Sequence, residues 1–223
     1  MKLLIAIPTY NMYIHGNLFN SLLHFISYCC DKEIYFEIKY RSGSLINRIR
    51  NEFITDFISG DFTDLLFIDA DLFNFENVLI EMIESKKKLI GGTYIKKQDK
   101  EDYNINLCNS INDTLNKKNN VVEVKHIATG LMLINMEVIE KLIEHYPEKK
   151  YLNELSIPHY NFFDSYIKDG KYLSEDYGFC EYYKEIGGKV YAYIEGKITH
   201  NGQANYSGNF KTFLKKKMCD KVI

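Results

Sequence analysis

The sequence predicts an α/β fold: a mainly parallel sheet flanked by helices, with a smaller β-containing region in the second half. Three observations predict it. Short apolar runs of strand character alternate with helical patterns through residues 2–94. The run Leu65–Ile68 has the length and character of a strand buried on both faces, as strands of parallel sheets are. At 223 residues, 46% hydrophobic and 26% charged, the chain can bury one substantial core and lacks the composition of a disordered protein.

Strands are expected at Lys2–Ile7, Ile34–Tyr40, Asp64–Ile68 and Leu89–Tyr94, with helices near Asn17–Cys30, Leu45–Ser59 and Phe75–Lys88. This βαβα order implies parallel strands joined by right-handed crossovers. Residues 97–120 are polar, with a run at Asn116–Asn120, and read as a mobile loop. A β-rich stretch at Val121–His126 and Gly130–Asn135 follows, then a helix at Met136–His145. Residues 147–173 are irregular and aromatic. A last helix over Glu175–Ile186 is stopped by Gly187-Gly188, and two short strands lead into Thr199-His200-Asn201-Gly202. The expected organisation is one domain over residues 1–223. Residues 1–96 form a nucleotide-binding half-sheet and 121–223 a lobe completing a cleft.

A net charge of −2 argues against a broad nucleic-acid footprint, so any anionic substrate must be met by local cations or a metal. The five cysteines, Cys29, Cys30, Cys108, Cys180 and Cys219, are odd in number and lack CxxC spacing; reduced thiols and no zinc site are expected. The chain begins on a strand pattern and holds no apolar run long enough to span a bilayer. The expectation is therefore a cytoplasmic protein without signal peptide or transmembrane segment.

The strand at 64–68 ends abruptly in Asp69-Ala70-Asp71. Side chains alternate along a strand, so both carboxylates should project the same way where the sheet stops, at the edge where open α/β sheets bind ligands. Two like charges so close need a cation or a proton between them, and a divalent metal meets that need. The alternative is an Asp-rich turn closing an ordinary strand. On the second helix, Leu45, Ile46, Ile49, Phe53, Ile54 and Phe57 form an apolar arc that contains Arg50, with Asp56 at its margin. An inward guanidinium requires a carboxylate or phosphate partner. Arg48 falls on the polar face.

Several segments together resemble nucleotide-sugar glycosyltransferases of the GT-A (Rossmann-like) type, especially the small versions of large DNA viruses and phages. They are Ile5-Ala6-Ile7-Pro8-Thr9-Tyr10, Asn47-Arg48-Ile49-Arg50-Asn51-Glu52, Leu66-Phe67-Ile68-Asp69-Ala70-Asp71 and Gly91-Gly92-Thr93-Tyr94-Ile95-Lys96-Lys97. Later matches are Ala128-Thr129-Gly130-Leu131-Met132, Leu173-Ser174-Glu175-Asp176-Tyr177-Gly178-Phe179-Cys180 and Ile198-Thr199-His200. They follow the order of that family and span nearly the whole chain.

The resemblance implies transfer of a sugar from a nucleoside diphosphate donor, UDP-linked, to a glycan or other hydroxyl acceptor. Residues 121–223 would be the acceptor and catalytic half, and a viral source would place the protein in the host cytoplasm. It implies a metal held by Asp69, Asp71 and His200. Mn²⁺ is favoured over Mg²⁺ because an imidazole suits manganese better. Pro8, Thr9 and Tyr10 would surround the base and ribose. Arg50, beside Asn51, would face the diphosphate or an acidic group next to it, and Lys97 would supply a basic position after its strand. Gly130 would let the donor sugar approach the backbone, while Gly91-Gly92 would allow close packing beside the cleft. Asp176 would be the general base, with Glu175 as second choice or as a sugar-hydroxyl ligand.

Each assignment has an ordinary counterpart: a turn histidine for His200, a solvated lysine for Lys97, and helix-dipole partners for Glu175 and Asp176 behind a Ser174 cap. Tyr160, Phe162, Phe163 and Tyr166 are candidates for stacking on an acceptor sugar or for core packing. Competing functions are a sugar-phosphate nucleotidyltransferase, although residues 8–17 lack its basic glycine-rich loop, and a non-catalytic nucleotide-sugar-binding module.

Overall fold

A computed structural model describes residues 1–117 and 119–219. The first half reads β1 (Lys2–Thr9), α1 (Gly16–Asp31), β2 (Tyr35–Ser42), α2 (Ile46–Ser59), β3 (Asp64–Ile68), β4 (Leu72–Phe73), α3 (Glu76–Glu84) and β5 (Leu89–Tyr94). Then come β6 (Ile105–Leu107), α4 (Ile111–Leu115), β7 (Val121–Ile127), β8 (Leu131–Asn135) and α5 (Met136–His145). Two hairpins follow, β9 (Lys150–Leu152) with β10 (Pro158–Tyr160), and β11 (Tyr166–Lys168) with β12 (Lys171–Leu173). The chain continues through α6 (Glu175–Glu185), β13 (Val190–Asn201), β14 (Asn205–Gly208) and α7 (Phe210–Cys219).

The α/β class holds, and the central sheet is mixed. Its order is β2-β1-β3-β8-β5-β13-β7-β6, with β14 and β4 pairing β13. β2, β1 and β3 are parallel, as their helical crossovers require, and so are β5 and β13. β8 enters antiparallel between β3 and β5, which joins the two parallel groups into one sheet. Helices cover both faces. One face buries Phe53, Phe57, Phe67, Phe163 and Phe179, and the other Phe25, Phe75, Leu79 and Met82. β3 and β5 are accordingly apolar on both sides, with Leu65–Ile68 and Leu89–Ile90 fully buried.

Three stretches depart from the sequence reading. Residues 97–120 carry β6 and α4 instead of forming one loop, because Ser110 caps α4 and β6 pairs with β7. Lys118, within the polar run, lies outside the described residues. The two short strands expected before Thr199 are one strand, β13, whose register on β5 shifts between Tyr193 and Ile198. In the 147–173 stretch, Phe162 and Phe163 are fully buried and not presented to a ligand. The Phe163 ring stacks on Phe179 at 4.5 Å and meets Phe67 edge-on at 5.4 Å. Tyr166 stacks on Tyr182 at 5.0 Å.

Asn51, buried on α2, fixes this segment from beneath. Its amide donates to the Phe163 carbonyl (3.0 Å) and to Asn161 Oδ1 (2.9 Å), and its carbonyl oxygen accepts from the Phe163 N–H (2.8 Å). Phe163→Ala should therefore lower the free energy of unfolding by about 3–5 kcal/mol in urea denaturation. A loss below about 1 kcal/mol would show that the ring is not part of the core.

Candidate active site

The C-terminal ends of β1 and β3 and the start of α1 enclose a cleft of about 560 Å³. Pro8, Thr9, Tyr10, Tyr13, His15, Asp69, Asp71 and Asn201 line it. This is the sheet edge at which open α/β sheets bind ligands. A second hollow, about 490 Å³, lies at the opposite strand ends. Its charges are already matched at close range, Lys2 with Asp61 and Lys39 with Glu37.

Asp69 and Asp71 stand at the cleft but do not project alike. β3 stops at Ile68, and the chain turns at once, the Leu72 N–H donating to the Asp69 carbonyl at 3.1 Å. The strand alternation that would align them has ended one residue too early. Asp69 turns inward, where Arg50 donates to its Oδ1 at 3.3 Å. Asp71 turns toward the other wall, where Lys97 pairs with its Oδ2 and His200 Nε2 stands 3.5 Å from Oδ1.

Arg50 is buried, as its place in the apolar arc requires. Its partners are carboxylates: Asp69, and Glu175 Oε1 at 2.6 Å. Asp56, at the arc's margin, pairs instead with Arg41 at 2.8 Å, and Arg48 reaches Glu52 on the exposed face. Burial pushes the Asp69 and Glu175 carboxyls above their ordinary range; Arg50 pulls both back, while Asp71 adds to the rise at Asp69 and Asp176 to that at Glu175. Asp71 goes the other way: burial would raise it, but the Lys97 ammonium and, when its ring carries a second proton, His200 prevail and hold it low.

Glu175 and Asp176 open α6 behind Ser174, which stands at the N-cap position. The Ser174 hydroxyl does not cap the helix; it donates to Asp176 Oδ1, which also accepts the Tyr177 N–H at 2.8 Å. Among the described residues no hydrogen bond reaches Asp176 Oδ2.

His200 lies on β13. Its Nδ1 is 2.9 Å from the Ile95 carbonyl, which can only accept, so Nδ1 carries the hydrogen. In the neutral ring the Nε2 lone pair then faces the Asp71 carboxylate. Two acceptors in that position need a proton on the ring or a cation between them. The site as a whole has the same need. Among the described residues, Asp69, Asp71, Glu175 and Asp176 gather around two permanent cations, Arg50 and Lys97. Among the described residues no three ligating side chains already converge as in a preformed metal site. Asp71 and His200 nevertheless offer the oxygen and nitrogen donors a divalent ion would use.

Tyr94 completes the inner wall, and the motifs in the sequence did not single it out. It is buried at the end of β5, accepts the Gly130 N–H at 3.0 Å and packs edge-on against the His200 ring at 5.3 Å. Its pattern in the sequence is that of any buried strand aromatic, so the signal lies only in the three-dimensional neighbours. Burial and the Asp69 charge push its phenol well above the ordinary range. Gly130 makes this crowding possible. A Cβ there would meet Tyr94 Oη at 2.2 Å and Asp69 Oδ2 at 2.6 Å. Gly91 and Gly92 play a packing role: a Cβ on either would strike Ile127 or Leu131 in the core.

The remaining expected residues divide. Pro8 and Thr9 are buried in the cleft wall, the Thr9 hydroxyl donating to the Arg41 carbonyl at 3.2 Å. Tyr10 stands at the mouth, 76% exposed, opposite the equally open Tyr13. Asn51 has its amide engaged by the 161–163 segment. Among the described residues two buried polar atoms here lack partners, Arg50 Nε and Thr129 Oγ1.

The architecture and cleft define the class of the protein: an α/β domain with an acidic, ligand-sized cleft at its strand ends. No protein-family model and no curated protein sequence matches the chain. Among solved structures, A197 from STIV matches over 91% of this chain and 86% of its own, at 18% identity and a TM-score of 0.48. No helix among the described residues is long and apolar enough to cross a membrane.

Removing the Arg50 charge should leave Asp69 and Glu175 uncompensated. Arg50→Met is expected to cost about 3–5 kcal/mol of stability at neutral pH. A carboxyl raised in the folded state binds its proton more tightly there than in the unfolded chain, so its stability contribution falls as pH rises. The Arg50→Met penalty should therefore shrink as pH falls into the acid range, where these raised carboxyls take up protons before ordinary ones do. Denaturation curves between neutral and acid pH test this, and a penalty independent of pH would contradict it.

Proposed function

We propose that this chain is a glycosyltransferase that moves a sugar from a nucleoside diphosphate sugar, UDP-linked, to a glycan or other hydroxyl acceptor with a divalent cation, Mn²⁺ in preference to Mg²⁺. The observation that carries the reading is the charge imbalance at the β3 edge. Among the described residues, Asp69, Glu175 and Asp176 surround the Arg50 guanidinium and Asp71 pairs with Lys97; Asp69 and Asp71 line a cleft open to a nucleotide-sized ligand, and His200 Nε2 stands 3.5 Å from Asp71. When bound, the cation would supply electrostatic stabilisation of the departing diphosphate. The ordered motifs from Pro8 to His200 support the same reading by their resemblance.

Asp71 and His200 would hold the ion, with Asp69 adding its field from behind. Arg50 keeps Asp69 and Glu175 in place from below and, among the described residues, has an unpartnered Nε. Tyr10, beside Pro8 and Thr9, is the exposed aromatic surface on which a base can stack. Gly130 gives the Asp69 carboxylate room against Tyr94. Asp176 would take the acceptor proton on Oδ2, since Ser174 and Tyr177 orient the carboxylate through Oδ1. Glu175, already engaged by Arg50, is suited to orienting and less to accepting a proton.

Incubation with a panel of nucleotide sugars and Mn²⁺, with and without EDTA, tests the proposal. Chelator-sensitive release of nucleoside diphosphate is expected. Release of pyrophosphate would point to nucleotidyl transfer, and no product from any donor to a binding module. Asp176→Asn should cut turnover roughly 10²–10⁴-fold while donor binding persists. Normal turnover in that variant would remove Asp176 from the role of base.

A further inference from the structure

We propose, resting on the metal-dependent reading above, that Lys97 is an exchangeable counterion. Its ammonium holds Asp71 while the site is empty of cation, yields the carboxylate to a divalent ion, and then turns to the anionic phosphates that arrive with it. Metal and nucleotide are thereby coupled through one side chain.

The geometry behind this is specific. Asp71 has two oxygens and both are engaged, Oδ2 by Lys97 and Oδ1 by His200 at 3.5 Å. A divalent ion set between Oδ1 and Nε2 would share one carboxylate with the ammonium on Oδ2, and two cations held by the same group repel each other. Lys97 is free to leave: its side chain is 37% exposed and has no second acidic partner among the described residues. The backbone that carries it is fixed. The neighbouring Lys96 donates its N–H to the Asp102 carbonyl at 2.9 Å and pairs with the Asp102 carboxylate at 2.5 Å, and the Gln98 N–H donates to the Lys96 carbonyl at 2.9 Å. Only the Lys97 side chain need swing. A lysine suits such a task, being a point charge on a flexible stem without the fork that would bind a carboxylate in two places.

Two consequences of opposite sign follow. Without nucleotide, Lys97 competes with metal, so removing it strengthens metal binding. With nucleotide, the displaced ammonium gains a partner, so each ligand should raise the affinity for the other by the same factor. A residue that merely bound phosphate would weaken nucleotide binding on removal but would not strengthen metal binding. A purely structural lysine would do neither.

Electron paramagnetic resonance titration of free Mn²⁺ against the full chain, with and without UDP, measures both. Lys97→Gln should bind Mn²⁺ alone about tenfold more tightly than the wild type, and the gain conferred by UDP should shrink by a similar factor. Lys97→Arg keeps the charge and should not show the tighter binding. Lys96→Gln removes a neighbouring charge paired elsewhere and should stay within about twofold of the wild type. Equal or weaker Mn²⁺ binding by Lys97→Gln, where the wild type binds the ion, would overturn the exchange while leaving the metal reading intact. No Mn²⁺ uptake by the wild type, with or without UDP, would overturn the metal reading and the exchange with it.

Discussion

One buried guanidinium ties the cleft together. Arg50 reaches Asp69 at the end of β3 and Glu175 at the start of α6, a residue 125 positions further along the chain. A charge so placed cannot go unpaired, because the loss of hydration is repaid only by close, well-oriented partners. The requirement runs both ways: the two carboxylates are as dependent on Arg50 as it is on them. The next residue on the same helical turn, Asn51, clasps the 161–163 backbone. Two adjacent side chains of α2 thus position the end of β3, the segment below the cleft and the opening of α6. The parallel half and the second half meet through them.

What Arg50 does not do is neutralise the site. One guanidinium among three carboxylates leaves the Asp69 and Glu175 carboxyls raised by burial, while Asp71 at the rim is held low, chiefly by its pairing with Lys97 and its contact with His200. The inner pair behaves as fixed framework and the outer carboxylate as an exposed docking point. This division of labour explains why the two aspartates of one short motif differ in surroundings. On the proposed metal-dependent reading, a cation would approach at the rim, near the mouth where Tyr10 and Tyr13 stand open.

Much of this was legible in the residues. The Leu65–Ile68 run announced a doubly buried strand, and the apolar arc of α2 placed Arg50 inside the protein with a carboxylate or a phosphate as partner, of which the structure supplies two carboxylates. The pattern at Met136–His145 marked a helix with the observed limits. Reading became unreliable where long-range contacts decide. The direction of Asp69 and Asp71 depended on where β3 stopped, and alternation carries no information past a strand's end. Phe162 and Phe163 sit in a stretch without periodicity, so neither burial nor exposure could be read; Asn51 and Phe179, distant in sequence, bury them. Tyr94 looked like any strand aromatic, since its role comes from Gly130, Asp69 and His200 converging from three other segments.

The most direct test of the cation site is a crystal structure with Mn²⁺ and UDP, with diffraction recorded at the manganese absorption edge. The account predicts an anomalous peak bounded by the Asp71 carboxylate and His200 Nε2, with Lys97 turned from Asp71 toward the phosphates. Ordered UDP without such a peak, with Lys97 still paired to Asp71, would contradict it.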